Sequence, residues 1–168
     1  MRHQVTNQIS FGSTSLRLHM NSCFFLGHRD TTAELRTALD AAIERHIAEL
    51  GVTDFYVGQY GAFDRMAQSA LTRAKAQFPE IRAYLLLPYH PTERPVEISE
   101  GFDGTFYPPG METVPRRLAI ARANRYMLSI CDHLIAYVWH TASNSRDLLE
   151  YAERRGVIIE NLAKHRNP

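Results

Sequence analysis

The stretch that decides the fold is CFFLGHRD, Cys23 to Asp30. Cys23-Phe24-Phe25-Leu26 is a short apolar run with strand character, and it passes directly into Gly27-His28-Arg29-Asp30. An ordinary surface turn does not end a buried strand on a glycine, a histidine and an arginine. In open α/β sheets ligands bind outside the carboxyl ends of the strands, where loop amides and helix N-termini converge. The end of this strand is therefore expected to be the floor of a pocket. Gly27 turns the backbone or admits a ligand, and His28 and Arg29 place donors where an anion would sit.

Working outward, strands and helices alternate. Thr31 or Thr32 is placed to cap a helix whose apolar positions Leu35, Leu39, Ile43, Ile47 and Leu50 recur at three- and four-residue intervals. Gly51 ends it. TDFYVG (53–58) reads as a second strand, and Asp64 to Phe78 as a helix with Met66, Ala70, Leu71 and Ala74 inward. RAYLLLPY (82–89) is a third strand, and its unbroken Tyr-Leu-Leu-Leu implies burial on both faces, as in a parallel sheet. Residues 88–115 form a long connection rich in Pro and Gly, of a length that is usually functional or mobile. Pro115 opens a third helix reaching Ser129 or Cys131. HLIAYVW (133–139) is a fourth strand, HTASNS (140–145) a turn with Asn144 or Ser145 as cap, Asp147 to Arg155 a helix closed by Gly156, and VIIENL (157–162) a fifth strand. This alternation predicts an α/β, Rossmann-like, doubly wound and mostly parallel sheet of about five strands with helices on both faces.

Composition limits the function classes. The chain has 168 residues, 45% of them apolar, and 19 basic against 18 acidic residues give a net charge of +1. One domain of ordinary size is expected. The balanced charge argues against nucleic acid as a partner, and no apolar run reaches membrane-spanning length. Cys23 and Cys131 lie far apart in apolar contexts, which reads as buried free thiols in a reducing compartment, the cytoplasm. Thiol–histidine spacing suited to zinc is missing, so no metal is expected. Residues 1–20 lack the continuous apolar segment of a signal peptide and read as an N-terminal extension, with Met20 a candidate start and residues 21–168 the single domain.

GHRD follows the first strand on the proposed ligand side, and GQYGAFD (58–64), PYHP (88–91) and HTASNS follow later strands there. Each candidate residue also has a plain structural reading. Asp64 caps a helix or contacts a ribose or base. Arg29 pairs with Asp30 or Asp64, or holds an anion. Arg122 and Arg125 form a solvated helix face or a binding face. Tyr60, Tyr89 and Trp139 stack on a base or close the edges of the core.

Six segments in order, CFFLGHRD, FYVGQYGAFDRMA, YLLLPY, FYPPGMETVP, RANRYM and CDHLIAYVWHTASNSRDLLEYAERRG, resemble YpsA-like proteins of the SLOG superfamily, which also holds the Lonely-Guy phosphoribohydrolases and DprA. The resemblance spans roughly Cys23 to Leu162. It implies a Rossmann-like domain with a pocket for a nucleotide or nucleotide-derived ligand, no required cofactor, and a homodimer as a common arrangement. Carried over residue by residue, it marks Gly27, His28 and Arg29; Gly58, Gly61 and Asp64; Asn124 and Arg125; and Ser143, Asn144 and Ser145 as ligand-binding. Two departures stand out. The helix motif's arginine is Ala123 here, flanked by Arg122 and Arg125. Ser143-Asn144-Ser145 replaces a glycine pair followed by a small residue.

Three function classes follow: a nucleotide-binding sensor or regulatory module, a Lonely-Guy-type hydrolase of nucleoside monophosphates, and a single-stranded DNA binder like DprA. Lonely-Guy enzymes carry Pro-Gly-Gly-x-Gly-Thr-x-x-Glu after the fourth strand. Here the glycine pair is gone, and the glutamate position falls near Leu148, with Glu150 about half a turn later. The first class is the expectation, with the catalytic residues of the second unassigned.

Overall fold

A computed structural model describes residues 21–163; the N-terminal extension, Met20 included, and residues 164–168 lie outside the described residues. The chain runs β1 (Ser22–Gly27), α1 (Leu35–Ala48), β2 (Asp54–Val57), α2 (Ala62–Gln77), β3 (Arg82–Leu86), β4 (Gly104–Phe106), α3 (Ala119–Ile130), β5 (His133–Tyr137), α4 (Asn144–Arg155) and β6 (Ile158–Asn161). The six strands form one sheet in the order β4-β3-β2-β1-β5-β6, and every pairing is parallel. This is the expected Rossmann-like α/β fold, with one more strand than the sequence predicts. β4 lies inside the long connection 88–115, where Gly104-Thr105-Phe106 adds to the outer edge of β3.

Strand alternation builds two cores. Cys23 and Phe25 of β1, with Phe55, Val57, Leu85 and Ile135, face α1 and α2. Phe24 and Leu26, with Leu86, Leu134, Ala136 and Val138, face α3 and α4. β1 and β5 are covered on both sides, so their consecutive positions are apolar for opposite reasons.

Several local expectations shift. α1 begins at Leu35 without a side-chain cap from Thr31 or Thr32; the Leu35 amide instead donates to the Thr32 carbonyl at 3.2 Å. Leu50 falls beyond the helix and is 42% exposed, while His46 takes an inward position of the stripe. α2 starts at Ala62, which puts Asp64 inside its first turn. Pro115 precedes a single 3-10 turn at Arg116–Leu118, and α3 begins only at Ala119, four residues later than a helix opened by Pro115 would. The cap of α4 is Ser143, not Asn144 or Ser145, and its hydroxyl accepts the Arg146 amide at 3.2 Å.

The chain leaves β1 for β2, β3 and β4 on one side, then returns to β5 and β6 on the other. The strand order therefore reverses between β1 and β5, and at such a point the loops after the two strands splay apart into a crevice.

Candidate functional site

That crevice is a cleft of about 290 Å³ at the carboxyl ends of the strands. The structure brings together in its wall Gly27 at the end of β1, His28 and Arg29 just after it, Asp64 of α2, Asn124 of α3, and Asn144 and Ser145 of α4. Gly58, Gly61, Arg125 and Ser143 lie outside the lining.

Gly27 is held to glycine by packing. A Cβ there would stand 2.3 Å from the Phe63 ring, which stacks on Tyr137 behind the cleft. Gly58 makes room for Asp64: a Cβ would lie 2.6 Å from one carboxylate oxygen. At Gly61 the loops after β1 and β2 meet. Its neighbour Ala62 donates its amide to the Arg29 carbonyl at 3.2 Å.

Asp64, in the first turn of α2, reaches back to accept the Tyr60 amide at 2.9 Å, one residue before the helix cap Gly61. Burial outweighs that bond and raises its pKa to about 6. The cleft thus contains a carboxyl that exchanges its proton near neutral pH.

The ring of His28 is buried and turned to the loop after β5. Its Nε2 accepts the amides of Trp139 at 3.0 Å and His140 at 3.1 Å. Two donors on one nitrogen require that nitrogen to be unprotonated, so the ring proton sits on Nδ1. Burial first, and His140 second, lower the His28 pKa, against the pull of Asp30. The expectation that His28 offers donors to an anion is thereby narrowed to Nδ1, because Nε2 serves the protein's own backbone.

Arg29 is exposed at the rim and forms no ion pair among the described residues, with neither Asp30 nor Asp64. Across the cleft stands Arg117, likewise exposed and without an ion pair among the described residues. Sequence reasoning missed Arg117. The signal was present: Arg117, Ala121 and Asn124 are spaced four and three residues apart, one helical face if the turn after Pro115 is counted with α3. Tyr60 and Leu148 complete the wall near these residues. α4 presents its N-terminus here; the Ser143 cap takes the Arg146 amide, and the amides of Asn144 and Ser145 have no intrahelical acceptor. Two cations and a helix N-terminus make the cleft electropositive.

The remaining candidates sit apart. Arg125 stacks its guanidinium over Tyr151 at 3.8 Å, and with Arg122, Asn144 and Asp147 it lines an adjoining groove. Met127 is fully buried in the core. Tyr89 packs against Tyr60 beneath Arg94 and Arg116. Glu150 pairs with Arg146 on α4 at 3.1 Å, while Leu148 faces the cleft. Cys23 and Cys131 are buried free thiols; burial raises the pKa of both, that of Cys131 to about 12. No group of three or more His, Cys, Asp or Glu among the described residues could hold a metal ion. No helix among them is long and apolar enough to cross a membrane.

No protein-family model matches the chain, and no curated protein matches its sequence. Solved structures do. DNA processing protein A (DprA) from Streptococcus pneumoniae is similar with a TM-score of 0.60 over 83% of this chain and 49% of that one, at 16% identity. DprA from Helicobacter pylori, whose structure describes single-stranded DNA binding, gives a TM-score of 0.49 over 83% of this chain and 64% of that one, also at 16% identity. The chain spans about half the length of the first and under two thirds of the second. The likeness to the pneumococcal protein shows a shared Rossmann-like fold.

Proposed function

We propose that this chain is a binding module for a nucleotide or nucleotide-derived anion, of the YpsA-like kind within the SLOG superfamily, with its ligand in the cleft between β1 and β5. One observation carries the reading: Arg29 and Arg117 face a cleft at the strand-order reversal with no acidic partner among the described residues, beside the free amides of α4. A phosphate would take the arginines and the helix N-terminus. Asp64 and Asn124 would receive hydroxyl or amino groups deeper in, and Tyr60 offers a ring to a base.

The same wall speaks for binding over N-glycosidic cleavage. Its one carboxylate is Asp64; the position of the Lonely-Guy glutamate carries Leu148, and Glu150 is engaged by Arg146. Cleavage needs a general acid or base worth roughly a hundred-fold or more. Side chains at Ser143 and Asn144, in place of glycines, also alter the approach to a phosphate. A second reading, single-stranded nucleic acid, draws on the arginines that continue past the cleft at Arg122 and Arg125 and on the fold shared with DprA.

Native mass spectrometry of freshly purified protein tests the first reading: a co-purifying nucleotide-like mass supports it. Retention on single-stranded DNA that persists from low to moderate salt supports the second instead. Release of free base from AMP, abolished in Asp64→Ala, would replace both with an enzyme.

A further inference from the structure

We infer that His28 is a proton-sensitive latch that positions the loop between β5 and α4, and with it one wall of the cleft. The latch is a single atom. Nε2 accepts two successive backbone amides, Trp139 at 3.0 Å and His140 at 3.1 Å. The loop is pinned just before this point, where the Asn161 side chain accepts the Val138 amide and donates to the Val138 carbonyl. After it come Thr141 and Ala142, both exposed, and then Ser143, the cap of α4. His28 thus ties the loop between strand and helix through two backbone hydrogen bonds.

Protonation defeats the arrangement. A proton on Nε2 would point at two N–H groups, and no rotation of the ring can make an imidazolium accept a hydrogen bond. Below its pKa the ring must release both amides. The titratable groups acting on the ring are His140, from the loop itself, and Asp30, from the loop after β1; Arg29 and Asp64 line the same cleft. His28 is buried at 8% exposure, and burial and His140 lower its pKa from 6.5. The sign follows: the neutral, latched form is favoured in the fold, its stabilisation is fully present above pH 6.5, and it is lost as pH falls through the lowered value.

The effect on affinity rests on the nucleotide reading, but the latch does not. It predicts acid-induced loosening of the apoprotein at a defined place, and the only tryptophan of the chain, Trp139, stands there. The His140 ring lies against its indole with a 30° tilt, and His28 meets it edge-on.

The test uses the full chain without ligand. Tryptophan fluorescence and amide hydrogen exchange at Trp139 and His140, corrected for intrinsic rates, are followed from pH 8 to pH 4.5. In the wild type, protection of both amides is expected to fall by about tenfold or more with a midpoint below 6.5. His28→Gln places a carbonyl oxygen near Nε2 and should keep protection with no transition. His28→Ala should lose protection at every pH. His140→Gln should keep the transition and move its midpoint upward. A wild type with no transition, or one that survives unchanged in His28→Gln, overturns the latch, as does full protection in His28→Ala. Nucleotide binding can fail while the transition persists, so the two proposals fall separately.

Discussion

The two ends of the sheet treat charge in opposite ways. At the amino end, polar groups close on one another. The Asp132 carboxylate accepts the amide of Ser22 at 3.1 Å and its hydroxyl at 3.3 Å. Asp54 holds the Thr53 hydroxyl at 2.7 Å and the guanidinium of Arg82 at 2.9 Å. Arg45 is bound by Glu160. The exceptions are the buried ring nitrogens His46 Nε2 and His133 Nδ1, which have no hydrogen-bond partner among the described residues. At the carboxyl end, Arg29 and Arg117 face open space and Asp64 is desolvated to a pKa of about 6. A fold at its stability optimum would pair the two arginines and solvate the carboxyl, so the end that leaves Arg29 and Arg117 without an ion pair among the described residues is where a ligand is expected to supply the missing charge.

The largest expected effect tests the frame behind the cleft. Gly27→Ala forces a Cβ into the Phe63 ring, and overpacking should cost about 3 kcal/mol. Chemical denaturation would read it, and a loss below about 0.5 kcal/mol would mean that Phe63 moves freely and does not hold β1 to α2. Next comes the closed end. Asp54→Ala should remove about 2 kcal/mol, because a buried carboxylate leaves Thr53 and Arg82 behind, while ligand affinity stays unchanged. An equal loss of affinity would dissolve the distinction between the ends.

How far the sequence revealed this contrast depends on length and burial. β1, β2, β3 and β5 announce themselves as apolar runs, because a parallel strand covered on both faces has no polar side. β4 did not. Gly104-Thr105-Phe106 is three residues long, partly exposed and at an edge, so neither alternation nor a continuous run marks it. Loop order after the strands was enough to bring Gly27, Arg29, Asp64 and Asn144 to one cleft. The role of His28 was hidden, since a ring that accepts amides more than a hundred residues away leaves no local pattern. Arg117 escapes a sequence reading for a different reason: Arg122 and Arg125 stand beside Asn124 in sequence, whereas the helical face selects residues three and four apart.

A smaller effect sharpens the comparison through pH. The Asp64 carboxyl has a folded pKa raised to about 6 from 3.8. The folded state therefore holds its proton more tightly than the unfolded chain. Its ionisation costs nothing below pH 4, costs progressively more between the two values, and weighs in full above pH 6. Asp64→Asn should be more stable than the wild type by about 1–2 kcal/mol at pH 8, with the difference fading below pH 4. Urea denaturation at both pH values checks it. Destabilisation at pH 8 would mark Asp64 as a structural cap, not a residue kept for a ligand.

The most direct test is calorimetric titration of AMP and other nucleoside monophosphates into the wild type and Arg29→Ala, with thermal melting of each. A charge-assisted contact to phosphate is worth about 1.5–3 kcal/mol. The expected result is binding by the wild type, weakened roughly ten- to a hundred-fold in the variant, at nearly unchanged melting temperature. Equal binding by both proteins, with early melting of the variant, would contradict the account by making Arg29 part of the scaffold.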